Sequence, residues 1–155
     1  MDYEKELEEY RAGNQKYIDL FRQWLEKEEE TRDIFQADER PDDMDLFLNF
    51  YLPSEDFYSV EAGCRAFPFF FGYFLQRKVM GIGVSDAYRM STSLKMFYRL
   101  MVDEGIVKES DYKEMLEDID ENLDHWLHDI ECSIYPEFFE NEQDDDELER
   151  GQPNI

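Results

Sequence analysis

Residues 67–75 read Phe-Pro-Phe-Phe-Phe-Gly-Tyr-Phe-Leu. A helix carrying that run is apolar on nearly every side, so neighbours must cover it on several sides. It is far too short to cross a bilayer, and Arg77 and Lys78 follow almost at once. Ser59 is a suitable N-cap for a helix running to about Val79 or Met80. Pro68 then falls inside that helix and should kink it or split it in two. Gly72 suits a close helix crossing.

The flanking segments have helical periodicity and can supply the cover. Tyr3, Leu7, Tyr10, Tyr17, Phe21 and Trp24 recur at three-, four- or seven-residue spacing, which predicts a long helix over about 3–29 interrupted at Gly13-Asn14. Residues 31–43 read as a charged connector in which Ile34 and Phe35 form a short anchored turn. Pro41-Asp42-Asp43 then opens a second helix. Its apolar face is Met44, Phe47, Leu48, Tyr51 and Leu52, ending before Pro53. After Gly81-Ile82-Gly83, Ser85 is the expected N-cap of a helix with core positions Ala87, Met90, Leu94, Phe97, Tyr98 and Met101. Gly105 fits its left-handed terminal position, with Ile106 beyond. Ser110 then caps a helix to about Cys132, with Tyr112, Met115, Leu116, Ile119, Leu123, Trp126, Leu127 and Ile130 inward. Tyr135 to Phe139 reads as an apolar anchor. No segment alternates as a strand does. The expectation is an all-α bundle of about five helices. Residues 1–139 form one domain, and 140–155 form an acidic tail without fixed structure.

Charge sharpens the functional question. The chain of 155 residues holds 16 Lys and Arg against 40 Asp and Glu, a net charge of −24. Between Ala62 and Leu100 the only acid is Asp86, against Arg65, Arg77, Lys78, Arg89, Lys95 and Arg99, so this window carries +5. A helical wheel puts Arg89, Lys95 and Arg99 away from the core face, with Arg77 and Lys78 near one end. These five are the candidate nucleic-acid contacts. The opposing expectation is an ordinary solvated face paired with acids from elsewhere. The overall charge disfavours general binding to nucleic acid and suits a basic protein partner.

Glu121, His125, His128 and Cys132 share one face of the last helix at zinc-compatible spacing. They lie on a single helix without an H-E-x-x-H or C-x-x-C pattern, so no metal is expected. No nucleophile elbow or phosphate-binding glycine loop occurs, so no cofactor and no enzyme are expected. The two cysteines, Cys64 and Cys132, and an acidic N-terminus fit a reduced, cytoplasmic protein without a membrane span.

The stretch Ser93-Leu94-Lys95-Met96-Phe97-Tyr98-Arg99-Leu100-Met101-Val102-Asp103-Glu104-Gly105-Ile106 resembles a helix of the N-terminal core-binding (SAM-like) domain of tyrosine recombinases and phage integrases. In that family a small–Leu–x–x–Phe–Tyr helix ends at glycine and an aliphatic residue. The similarity extends over about 44–131. It implies a compact four- or five-helix domain that clamps one side of a DNA duplex. The sequence departs from the family after Gly105, where Val107-Lys108-Glu109-Ser110 replaces the Asn-Pro that leads to the catalytic domain. The family's catalytic Arg, His-x-x-Arg and Tyr have no counterpart, and recombinase activity does not carry over. The expectation is a non-enzymatic binding module like a stand-alone core-binding domain. It would act on DNA through the basic helix or on a basic protein through the acidic surface.

Overall fold

A computed structural model describes residues 2–28 and 39–134. The expected Ile34-Phe35 turn, the Tyr135–Phe139 anchor and the 140–155 tail lie outside the described residues. The α-helical stretches are α1 (Tyr3–Lys27), α2 (Glu39–Leu46), α3 (Leu52–Glu55), α4 (Val60–Ala66), α5 (Leu75–Lys78), α6 (Val84–Asp103) and α7 (Glu109–Ile134). One π-helical turn, Phe47–Tyr51, joins α2 to α3, and another, Phe70–Phe74, leads into α5. With α2 and α3 counted as one rod, the described residues form six helices and no strand, an all-α bundle.

Pro68 raises the count from five to six. It supplies no N–H, and the chain turns at Phe67, where the Phe70 N–H bonds back to the Phe67 carbonyl at 2.9 Å. Ser59 caps α4 as its sequence suggests, its hydroxyl accepting from the Ala62 N–H at 3.1 Å. Gly105 has φ +75° and ends α6, with the Ile106 N–H bonded to the Met101 carbonyl at 2.9 Å.

Other expectations need correction. The first long helix runs through Gly13-Asn14 without a break. The second is already helical at Glu39 and continues through Pro53 to Glu55 rather than stopping before the proline. The π turn makes this continuation possible. The Leu52 N–H bonds to Phe47, five residues back, and Pro53 has no N–H to donate. The carbonyls released this way find donors on α1. Asn14 Nδ2 donates to the Leu48 carbonyl at 3.3 Å, and Arg11 Nε donates to the Asn49 carbonyl at 2.8 Å. Asn14 Nδ2 also reaches Asn49 Oδ1 at 2.9 Å, so the helix interruption expected at Gly13-Asn14 is a polar contact between two helices. The start of α6 is Val84, not the residue after Ser85, because Asp86 Oδ2 accepts from the Gly83 N–H at 3.0 Å. The last helix starts at Glu109 rather than after Ser110 and extends to Ile134.

Buried residues from every helix form one apolar cluster. At its centre the two π turns face each other. Phe47 meets Phe70 edge-on at 5.2 Å, and Tyr51 touches Phe70 and Phe74 at 5.3 Å each. Trp126 of α7 stacks on Phe71 at 5.2 Å and meets Phe67 edge-on at 6.1 Å. The all-round cover expected for the Phe-rich run is incomplete. Phe67, Phe70, Phe71, Phe74 and Leu75 are buried, but Phe69 is 64 % exposed and Tyr73 47 %.

The close crossing occurs at Gly63 rather than Gly72. A Cβ at Gly63 would lie 2.7 Å from Tyr98 Oη and 2.9 Å from Leu52 Cδ1, whereas one at Gly72 would make only ordinary contact with Trp126 at 3.6 Å. Gly63→Ala should destabilise the fold by about 1–3 kcal/mol through overpacking, read as a lower urea midpoint. Gly13→Ala, with nothing within 4 Å of its Cβ position, should be neutral or stabilising.

Burial pushes the Cys64 thiol up to about 12, and its sulfur lies 3.8 Å from Met115 Sδ. The hydroxyls of Tyr51 and Tyr98 are shifted upward for the same reason. All three groups favour the fold in their neutral forms. The Cys64 contribution is present in full below its ordinary value of 9.0 and is lost as pH rises toward about 12. Native protein treated with iodoacetamide at mildly alkaline pH should therefore alkylate at the partly exposed Cys132 and not at Cys64, and denatured protein at both. Equal labelling of both thiols in the native protein would contradict the buried placement of Cys64.

Candidate functional site

The five expected nucleic-acid contacts do not share one environment. Arg89 projects from α6 into the packing with α2, where its side chain is 13 % exposed. Its Nη2 and Nε donate to the two oxygens of Asp43 at 2.8 and 3.0 Å. Its Nη1 lies 3.1 Å from Asp86 and 3.3 Å from Glu39. The Asp43 hydrogen bonds, then charge from the acids around it, hold the guanidinium pKa above its ordinary value. Asp43 is itself 4 % exposed and also accepts from the Ser93 hydroxyl at 2.8 Å, which in turn accepts from Arg40 Nη1 at 3.2 Å. The group ties α2 to α6 and presents no free guanidinium to a phosphate.

The remaining cations are nearer solvent. Lys95 lies 3.4 Å from Asp120 of α7, and Arg99 lies 2.7 Å from Asp103 on its own helix and over the Tyr112 ring at 5.7 Å. Arg77 sits over the Tyr73 ring at 5.0 Å, and Lys78 is exposed beside it. Thus Lys95 and Arg99 have acid partners, whereas Arg77 and Lys78 stand at the end of α5.

The opposite charge has a different distribution. Residues Tyr112, Met115, Ile119, Trp126 and Ile130 bury the inner stripe of α7. Its outer face carries exposed Glu114, Glu117, Asp118, Glu121, Asp124 and Glu131. No described cation lies within ion-pair distance of any of these six. A helix of 26 residues is about 39 Å long, so this is an extended negative strip. The whole-chain totals make such a surplus unavoidable. With 16 cations for 40 acids, at least 24 carboxylates lack a one-to-one partner.

The histidines of the same helix are engaged locally. His125 Nε2 lies 3.3 Å from Asp129, and His128 Nε2 lies 3.5 Å from Cys132 Sγ. Glu121 is exposed a turn away from His125. Among the described residues, no group of three or more His, Cys, Asp or Glu side chains is placed to hold a metal ion.

Clefts open on the surface of the described residues, two of which are well formed. One, of about 280 Å³, lies between the end of α3 and the start of the second aromatic helix, lined by Tyr51, Glu55, Tyr58, Arg65, Pro68 and Phe69. At its floor the Tyr51 hydroxyl donates to the Ala66 carbonyl. The other, of about 530 Å³, borders Val79 to Gly83 and Ile134, beside a fully exposed Met80. Sequence periodicity missed the first cleft because it treats residues 67–75 as an unbroken core segment. A 100° wheel was the available signal, since it sets Phe69 opposite Phe67, Phe71 and Phe74. Among the described residues, no helix is long and apolar enough to cross a membrane.

Comparison with protein-family models, curated proteins and solved structures found no match.

Arg89→Ala would leave Asp43 buried without its main counter-charge and should destabilise the fold by about 3 kcal/mol. Chemical denaturation measures it. Arg89→Met combined with Asp43→Leu should recover much of the loss. If Arg89→Ala leaves the unfolding midpoint unchanged, Arg89 does not clamp α2 to α6.

Proposed function

We propose that the chain is a non-enzymatic, cytoplasmic helical binding module whose acidic surface docks a basic protein partner. The observation that carries this reading is the contrast in pairing. Arg89 is enclosed by three carboxylates, while Glu114, Glu117, Asp118, Glu121, Asp124 and Glu131 of α7 have no described cation within ion-pair distance. A surface of that kind attracts cationic partners and repels phosphates, and the complementarity acts mainly on association rate and partner choice.

The recombinase-like resemblance favours a second reading, in which DNA lies against Arg77, Lys78, Lys95 and Arg99. The exposed position of Arg77 and Lys78 supports it. Without Arg89, the site reduces to four cations set among acids. Each lost phosphate contact also weakens the salt-dependent part of binding.

Fluorescence anisotropy with labelled polylysine and a labelled DNA duplex, both at about 0.05 M salt, separates the two readings. The acidic-surface reading expects polylysine to bind and duplex not to bind. It also expects Glu117→Lys/Glu121→Lys/Asp124→Lys to weaken polylysine binding by about tenfold, near 1.4 kcal/mol. Duplex binding that disappears in Lys95→Glu/Arg99→Glu would establish the DNA reading instead. Polylysine binding indifferent to the three α7 changes would overturn the role given to that helix.

A further inference from the structure

We propose that the cleft walled by Tyr58, Pro68 and Phe69 receives an arginine side chain of the partner's basic segment. This rests on the acidic-module reading and names the point of contact within it. The first observation is how this chain treats its own surface rings. Arg11 covers Phe50 at 4.4 Å, Arg77 covers Tyr73 at 5.0 Å, and Tyr3 and Phe57 stack on each other at 5.7 Å. Among the described residues, Phe69 and Tyr88 are the exposed rings without a cation or another ring against them. Phe69, 64 % exposed, stands at the rim of a cleft, and Tyr88 does not line either cleft.

The second observation is size. About 280 Å³ is at the small end for a ligand site and takes one long side chain rather than a folded element. The third is charge. Glu55 lines the cleft, Asp56 follows it, and Glu61 precedes Arg65 by one helical turn. Arg65, the one cation in the lining, lies 3.8 Å from Asp111 of α7, whose side chain is 12 % exposed. Within the lining Glu55 and Arg65 balance, and Asp111 beside Arg65 and Asp56 beside Glu55 leave the surroundings net negative. A guanidinium stacks flat on an aromatic face while its N–H groups remain free for a carboxylate. Phe69 supplies the face and Glu55 the carboxylate.

The probe is a labelled decapeptide of alternating arginine and glycine, with a citrulline-for-arginine twin, titrated into the full chain at physiological salt. The arginine peptide should bind and the citrulline twin should not. Phe69→Ala, a surface change that alters no charge, should weaken the arginine peptide by about fivefold to tenfold, the range of one partly exposed cation–π contact. Glu55→Gln should weaken it also, and Tyr88→Ala should leave it unchanged. If the peptide binds equally to wild type, Phe69→Ala and Glu55→Gln, yet weakens with the α7 charge reversals, the cleft assignment fails and the acidic-module reading stands. If the arginine peptide does not bind at all, both fail.

Discussion

The arrangement depends on how two apolar helices dispose of the backbone carbonyls that their prolines leave without donors. Pro53 cannot donate to Asn49, and the adjoining π turn moves the Leu52 N–H to Phe47. A buried carbonyl without a partner costs about 1–3 kcal/mol, so the second helix could not continue alone. It continues because Arg11 and Asn14 of α1 donate to Asn49 and Leu48. Pro68 is handled similarly. The Phe70 N–H turns back to Phe67, and the Ala66 carbonyl receives the Tyr51 hydroxyl. Tyr51 therefore fills the aromatic core with its ring and completes the backbone of the neighbouring helix with its oxygen. Its position fixes the two π turns against each other, and the Phe47, Phe70 and Phe74 contacts follow from that.

These polar ties explain why the scarce cations lie where they do. Arg11 and Arg89 join helices far apart in sequence, Arg11 through a backbone carbonyl and Arg89 through a buried carboxylate. Buried carboxylates need such partners, because leaving one uncompensated costs more than any exposed pair returns. With few cations available, the outer acids of α7 remain as excess negative charge. Repulsion along that strip is tolerated because solvent and salt screen exposed charges beyond about 8–10 Å. It also means that a cationic partner gains attraction along much of the helix without first breaking an internal ion pair.

Much of this was legible in the sequence because it is local. The Ser59 cap, the Gly105 terminus and the split at Pro68 each follow from one residue and its immediate neighbours. The inward stripe of α7 follows from simple periodicity. The passage through Pro53 was not legible, since its donors lie 34 and 38 residues earlier. Nor was the burial of Arg89, whose main partner is 46 residues away. A helical wheel does show Arg89 opposite the core face, but it cannot show α2 lying there. The outward Phe69 and Tyr73 were hidden for a third reason. Residues 67–75 are apolar almost throughout, so no polar side marks the surface, although a 100° wheel sets Phe69 and Tyr73 opposite Phe67, Phe71 and Phe74.

The same helix connects the core to the surface chemistry. Phe67, Phe70, Phe71 and Phe74 point inward, and Phe69 stands on the opposite side beside Tyr58 and Glu55. An acidic surface alone draws in many cationic partners and holds none of them in a defined orientation. A fixed ring beside a carboxylate adds a contact with direction and short range, and such contacts act chiefly on dissociation. The long strip on α7 and the small aromatic cleft would therefore contribute differently to one event. The strip would bring a basic segment to the surface, and the cleft would determine which of its side chains is held.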